Sequence, residues 1–98
     1  MAPIRHVAPG GGAEFEVDPT TGHAAWRVGG RRVDVARARA VAGDAAVDQI
    51  LRTAVAQLRA AAAAADEEGP RLRSLAGGIW RERHGASPTA GEGPTRLF

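Results

Sequence analysis

Between residues 13 and 35 the chain alternates apolar and polar side chains across two turn signals, and the registers those turns impose agree with each other. Phe15 and Val17 alternate with Glu14, Glu16 and Asp18, the period-2 pattern of a half-buried strand. Asp18-Pro19-Thr20-Thr21-Gly22-His23 then supplies a turn: Pro19 presets φ, and Gly22 suits the left-handed position at its end. A four-residue loop makes Asp18 and His23 partners. It places Phe15 opposite Trp26, Val17 opposite Ala24 and Ala13 opposite Val28 on one face, with Glu14 opposite Arg27 on the other.

Gly29-Gly30 is a two-residue hairpin signal that extends the same face, pairing Trp26 with Val33, Ala24 with Val35 and Val28 with Arg31. Strands are therefore expected near 13–18, 23–28 and 31–35, with Trp26 at the centre of the apolar face. The opposite face carries Glu14, Glu16, Asp18, His23, Arg27, Arg32 and Asp34. Arg27 opposite Arg32 is unfavourable there unless Glu14 or Asp34 bridges the two.

The pattern then changes period. Residues 36–42, Ala-Arg-Ala-Arg-Ala-Val-Ala, suit a short helix ended by Gly43, although their alternation also permits the third strand to run on to Val41. Asp44 is a plausible N-cap for a helix over 44–67. On that helix Val47, Ile50, Leu51, Ala54, Val55 and Leu58 form one apolar stripe. The alanines from 60 to 65 favour helix and fill little volume, so another backbone can approach that end closely. Pro70 suits the first turn of a second helix over 70–84, with Leu72, Leu75, Ala76, Ile79 and Trp80 as its stripe. Within it, Gly77-Gly78 implies close packing, a kink or an early end.

The reading is an α+β domain over 13–85: a three-stranded antiparallel β-meander followed by an α-helical hairpin. Residues 1–12, ending Pro-Gly-Gly-Gly, read as a flexible arm, although Ile4 and Val7 could dock in an apolar groove. Residues 86–98 read as a flexible or partner-bound tail ending in Leu97 and Phe98. A core drawn from roughly 70 residues is thin, which makes self-association or a partner a useful extra source of stability.

The chain has no cysteine, so neither disulfides nor thiolate metal sites supplement that core. No stretch approaches a membrane span and no signal-peptide run opens the chain, so a cytoplasmic location without membrane contact is expected. Net charge is only +2, and every one of the thirteen basic residues is arginine. A high isoelectric point thus reports arginine's pKa rather than a large surplus of charge.

Catalytic and metal-binding signatures are not found. His6, His23 and His84 have no ligand-like spacing, no hydroxyl sits in a nucleophile elbow, and neither glycine run carries a Walker lysine or a G-x-G-x-x-G pattern. Neither a cofactor, a metal nor a small-molecule ligand is expected. Two binding readings remain. The first is a non-enzymatic protein-interaction or assembly module, self-associating or part of a larger complex, with Trp80, Leu97 and Phe98 as partner-binding residues. The second is a small nucleic-acid-binding accessory protein using Arg27, Arg31, Arg32, Arg37 and Arg39 as a basic patch. Gly29 to Val35, Gly-Gly-Arg-Arg-Val-Asp-Val, resembles hairpins of small phage head-tail joining proteins, which implies a hairpin and nothing about activity.

Overall fold

A computed structural model describes residues 2–84. The element order is β1 (Ile4–Val7), β2 (Glu14–Asp18), β3 (His23–Val28), β4 (Arg31–Val33), α1 (Val35–Ala42), α2 (Asp44–Ala64) and α3 (Gly69–Arg81). The strands form one antiparallel sheet in the order β1-β2-β3-β4. The fold is α+β, with four strands and three helices where the sequence suggested three and two.

The central register is the expected one. Phe15 pairs with Trp26, Val17 with Ala24 and Glu14 with Arg27, and Trp26 pairs with Val33 on its other side. Gly22, Gly29 and Gly30 all take positive φ, as the two turns require. The Phe15 and Trp26 rings lie 4.8 Å apart between centroids and tilted by 40°, both buried. Cross-strand aromatic contact of this kind adds roughly 0.5–1.5 kcal/mol beyond the burial of the rings.

The expected arm is the extra strand. Ile4 pairs with Val17 and His6 with Phe15, and Ile4 is buried in the core. Pro9 and the glycines after it serve as a reverse turn rather than a linker. Gly10 and Gly11 have φ of 87° and 74°, the Gly11 N–H donates to the Ala8 carbonyl at 2.9 Å, and the Ala8 N–H donates to the Ala13 carbonyl at 2.8 Å. Glycine entropy argues for mobility only where no apolar residue anchors the segment to the sheet, and Ile4 does so.

The third strand of the sequence reading is shorter than expected, and the pairing of Ala24 with Val35 is not made. Asp34 caps α1, its carboxylate accepting from the Arg37 N–H at 2.9 Å, so Val35 opens a helix instead of extending a strand. The helical alternative for 36–42 is the one realised.

α2 is the hub. Its Val47, Ile50, Leu51, Ala54, Val55 and Leu58 are all buried, and it meets the sheet, α1 and α3. It ends at Ala64 rather than near residue 67, because Ala65 turns to an extended conformation. Close approach at its alanine-rich end is real. A Cβ on Gly69 would lie 3.0 Å from the Ala62 carbonyl oxygen, so the first turn of α3 sits directly against α2.

Gly77 and Gly78 neither break α3 nor mark a close backbone approach, although the helix ends at Arg81, short of the expected 84. α3 runs through both to Arg81, and a Cβ at either position would meet only the guanidinium of Arg81. Gly85 and the tail, with Leu97 and Phe98, lie outside the described residues.

Two stability outcomes follow, both readable by urea denaturation. Ile4→Ala should lower stability by about 2 kcal/mol or more, as for a buried aliphatic side chain, whereas a free arm would leave it unchanged. Gly77→Ala should raise stability by roughly 0.5–1 kcal/mol, since the helix gains propensity and only a flexible side-chain end must move.

Candidate interaction surfaces

The five arginines of the expected basic patch are not equivalent in the fold. Arg39, on α1, has a side chain only 13% exposed. It donates to Asp48 of α2 at 2.8 Å and, through Nε, to the Arg83 carbonyl beyond α3 at 2.9 Å, with Asp44 at 3.4 Å. One guanidinium thereby ties α1 to α2 and to the turn that follows α3, and its donors are engaged within the fold. Arg27 donates to Glu16 at 2.7 Å. That diagonal partner, rather than Glu14 or Asp34, relieves its position opposite Arg32. Arg31, Arg32 and Arg37 are exposed and form no ion pair among the described residues.

The Arg39 cluster also tunes Asp48. The hydrogen bond from Arg39 holds the Asp48 carboxyl below its ordinary value, the charges of Arg39, Arg52 and His84 act in the same direction, and burial opposes them.

Trp80 lies at the end of α3 beside α2, half-buried. It lines a groove of about 450 Å³ with Arg52, Val55, Ala56 and Arg59. The Arg83 guanidinium stacks 4.5 Å from the Trp80 ring centroid and also donates to its carbonyl at 2.7 Å. Arg52 and Arg59 are two turns apart on the same helix face, and among the described residues no carboxylate lines the groove.

The carboxylates of the polar sheet face are ion-pair partners rather than a free acid pair. Glu14 meets Arg5, and Glu16 meets Arg27. Histidine positions are separate: the His6 ring nitrogen Nε2 lies 2.7 Å from the Gln57 Oε1 of α2, and among the described residues no group of three or more His, Cys, Asp or Glu could hold a metal. No helix among them is long and apolar enough to cross a membrane.

One surface escaped the sequence reading, because it depends on β1. The sheet has β1 at its edge, with α2 beneath it. Val7, on the outer face, is 61% exposed, the most exposed of the large apolar side chains described. The adjoining face of α2 is unusual. All four charged residues of that helix, Asp44, Asp48, Arg52 and Arg59, fall within an arc of about 80° at 100° per residue. Gln57, which meets β1 through His6, belongs to a separate arc with Gln49, Thr53, Ala56, Ala60 and Ala64, none of them charged and all exposed or half-exposed. An open strand edge and an uncharged helix flank thus lie side by side. The signal for it was present in the alternation of Ile4, His6 and Ala8 before a Pro-Gly turn.

Compared with protein-family models, curated proteins and solved structures, the chain matches none.

A pH-dependent outcome tests the Arg39 cluster. A carboxylate with a depressed folded pKa stabilises the fold above the ordinary carboxylate range, near 3.9, and loses that contribution as pH falls through the folded value. Asp48→Asn should therefore be less stable than the parent at pH 7, and the gap between their urea midpoints should narrow below about pH 4.

Proposed function

We propose that the protein is a non-enzymatic assembly module that self-associates, as a homo-oligomer or as a subunit of a larger complex. The observation that carries this reading is the open β1 edge beside the uncharged flank of α2. Unpaired strand edges accept another chain through main-chain hydrogen bonds. A helix flank without charge can be buried without desolvating ions. The thin core, in which one helix meets α1, α3 and β1, favours the same conclusion, since a partner adds buried surface that the monomer lacks. The Trp80 groove is a second contact surface of the module. Its two arginines and its aromatic ring suit an acidic segment carrying an apolar side chain. A cytoplasmic location is part of the same proposal.

A second reading rests on Arg31, Arg32 and Arg37, which among the described residues stand exposed without carboxylate partners and suit a nucleic-acid backbone. Arg27 and Arg39 drop out of that surface because their guanidiniums are engaged within the fold. Phe15 and Trp26, being buried, offer nothing to stack on.

Light scattering over a concentration series, followed by DNA and RNA binding over a salt series, separates the two. Self-association with indifference to nucleic acid is the expected result. A monomer with steeply salt-dependent binding would reverse the order of the readings. In that case Arg31→Ala with Arg32→Ala should reduce the salt slope by roughly two, close to one per lost phosphate contact.

A further inference from the structure

The self-association just proposed leaves open which surface meets which, and the backbone of β1 narrows that choice. Ala8 donates to the Ala13 carbonyl, so in this antiparallel ladder Ile4, His6 and Ala8 direct their N–H and C=O groups toward β2. The alternate residues, Arg5 and Val7, direct theirs outward. Pro3 and Pro9 lie at the same outward phase and have no N–H, so they bracket a free edge two donors long. The other sheet edge, β4, is three residues long and ends at the cap of α1.

We infer that a second copy of this chain pairs antiparallel along β1, with the two-fold axis at His6, to make one continuous eight-stranded sheet. Three symmetric registers keep the outward groups in phase, and they differ in chemistry. An axis at Arg5 opposes two arginines and sets Val7 against Pro3. With the axis at Val7, Arg5 meets Pro9. Both lose hydrogen bonds to proline, and the first adds like-charge repulsion. The axis at His6 sets Arg5 against Val7 of the second copy on both sides of the axis, and all four outward N–H groups find a carbonyl.

Charge on the outer sheet face agrees with that register. In each row across the junction, Glu14 and Val7 of one copy are followed by Arg5 and Glu16 of the other, so no two like charges become neighbours. The exposed Val7 is covered by the aliphatic stem of Arg5 from the second copy. On the helical side the uncharged arcs of the two α2 helices flank the junction. The four charges of each α2 point away from it.

Cysteine cross-linking tests the register directly, because the chain has no cysteine of its own. Residue 6 would face its own copy in a non-hydrogen-bonded pair, with Cα atoms about 4.5 Å apart, within reach of a disulfide. Residues 5 and 7 would each lie roughly 8 Å or more from their copies, beyond that reach. On mild oxidation His6→Cys should give at least tenfold more covalent dimer than Arg5→Cys or Val7→Cys. In parallel, Val7→Pro removes an outward N–H that the monomer's own sheet does not use. It should keep the parent's circular dichroism and raise the dimer dissociation constant at least tenfold. Preferential linking through residue 5 or 7 would overturn the inferred register. A dimer indifferent to Val7→Pro and unlinked through residue 6 would overturn the edge pairing and leave the assembly reading standing. A parent that is monomeric at every concentration would overturn both.

Discussion

The contact between Phe15 and Trp26 holds the sheet to its register, and the rest of the molecule is arranged against the face that contact defines. Its two rings occupy neighbouring strands at the centre of the apolar surface, so a slip of one residue would send both to solvent. Ile4 extends that surface on one side and Val33 on the other, and α2 covers it with Leu51 and its neighbours. α2 meets the sheet, α1 and α3, and α1 also rests directly on β3.

Arginine is used here in three ways that composition does not distinguish. Arg39 is a bracket. Its planar guanidinium reaches Asp48, Asp44 and the Arg83 carbonyl at once, a geometry that the point charge of a lysine would not reproduce. Arg83, by contrast, stacks on Trp80, and Arg31, Arg32 and Arg37 have solvent for company. The modest net charge is consistent with this division, since the acidic side chains of α2 and the sheet are engaged by particular arginines rather than balanced at a distance.

Much of the fold was legible before any coordinates. The turn at Pro19 to Gly22 and the Gly29-Gly30 hairpin specify pairings locally, and the α2 stripe follows from helical periodicity alone. Trp80 was legible as part of the apolar stripe of the last helix and as a candidate contact residue, though not its neighbours Arg52 and Arg59, which sit on another helix. The surface on which the proposed function rests carries a signal, the alternation of Ile4, His6 and Ala8, but that signal is undecided, because the same Pro-Gly-Gly-Gly run describes a linker or a turn. Only the burial of Ile4 against Val17 decides between them.

What the sequence determined by itself is therefore local: which residues alternate, which turns set their partners, which helix face is apolar and that no thiol chemistry is present. Tertiary structure decided what is nonlocal. It made residues 4–7 an edge strand and engaged Arg27 and Arg39 in ion pairs that take them out of a patch they were expected to share. The physical reason is common to both. Each outcome is settled by a contact between residues that local pattern leaves free to choose among partners, and that choice is made by burial and hydrogen bonding in the assembled core.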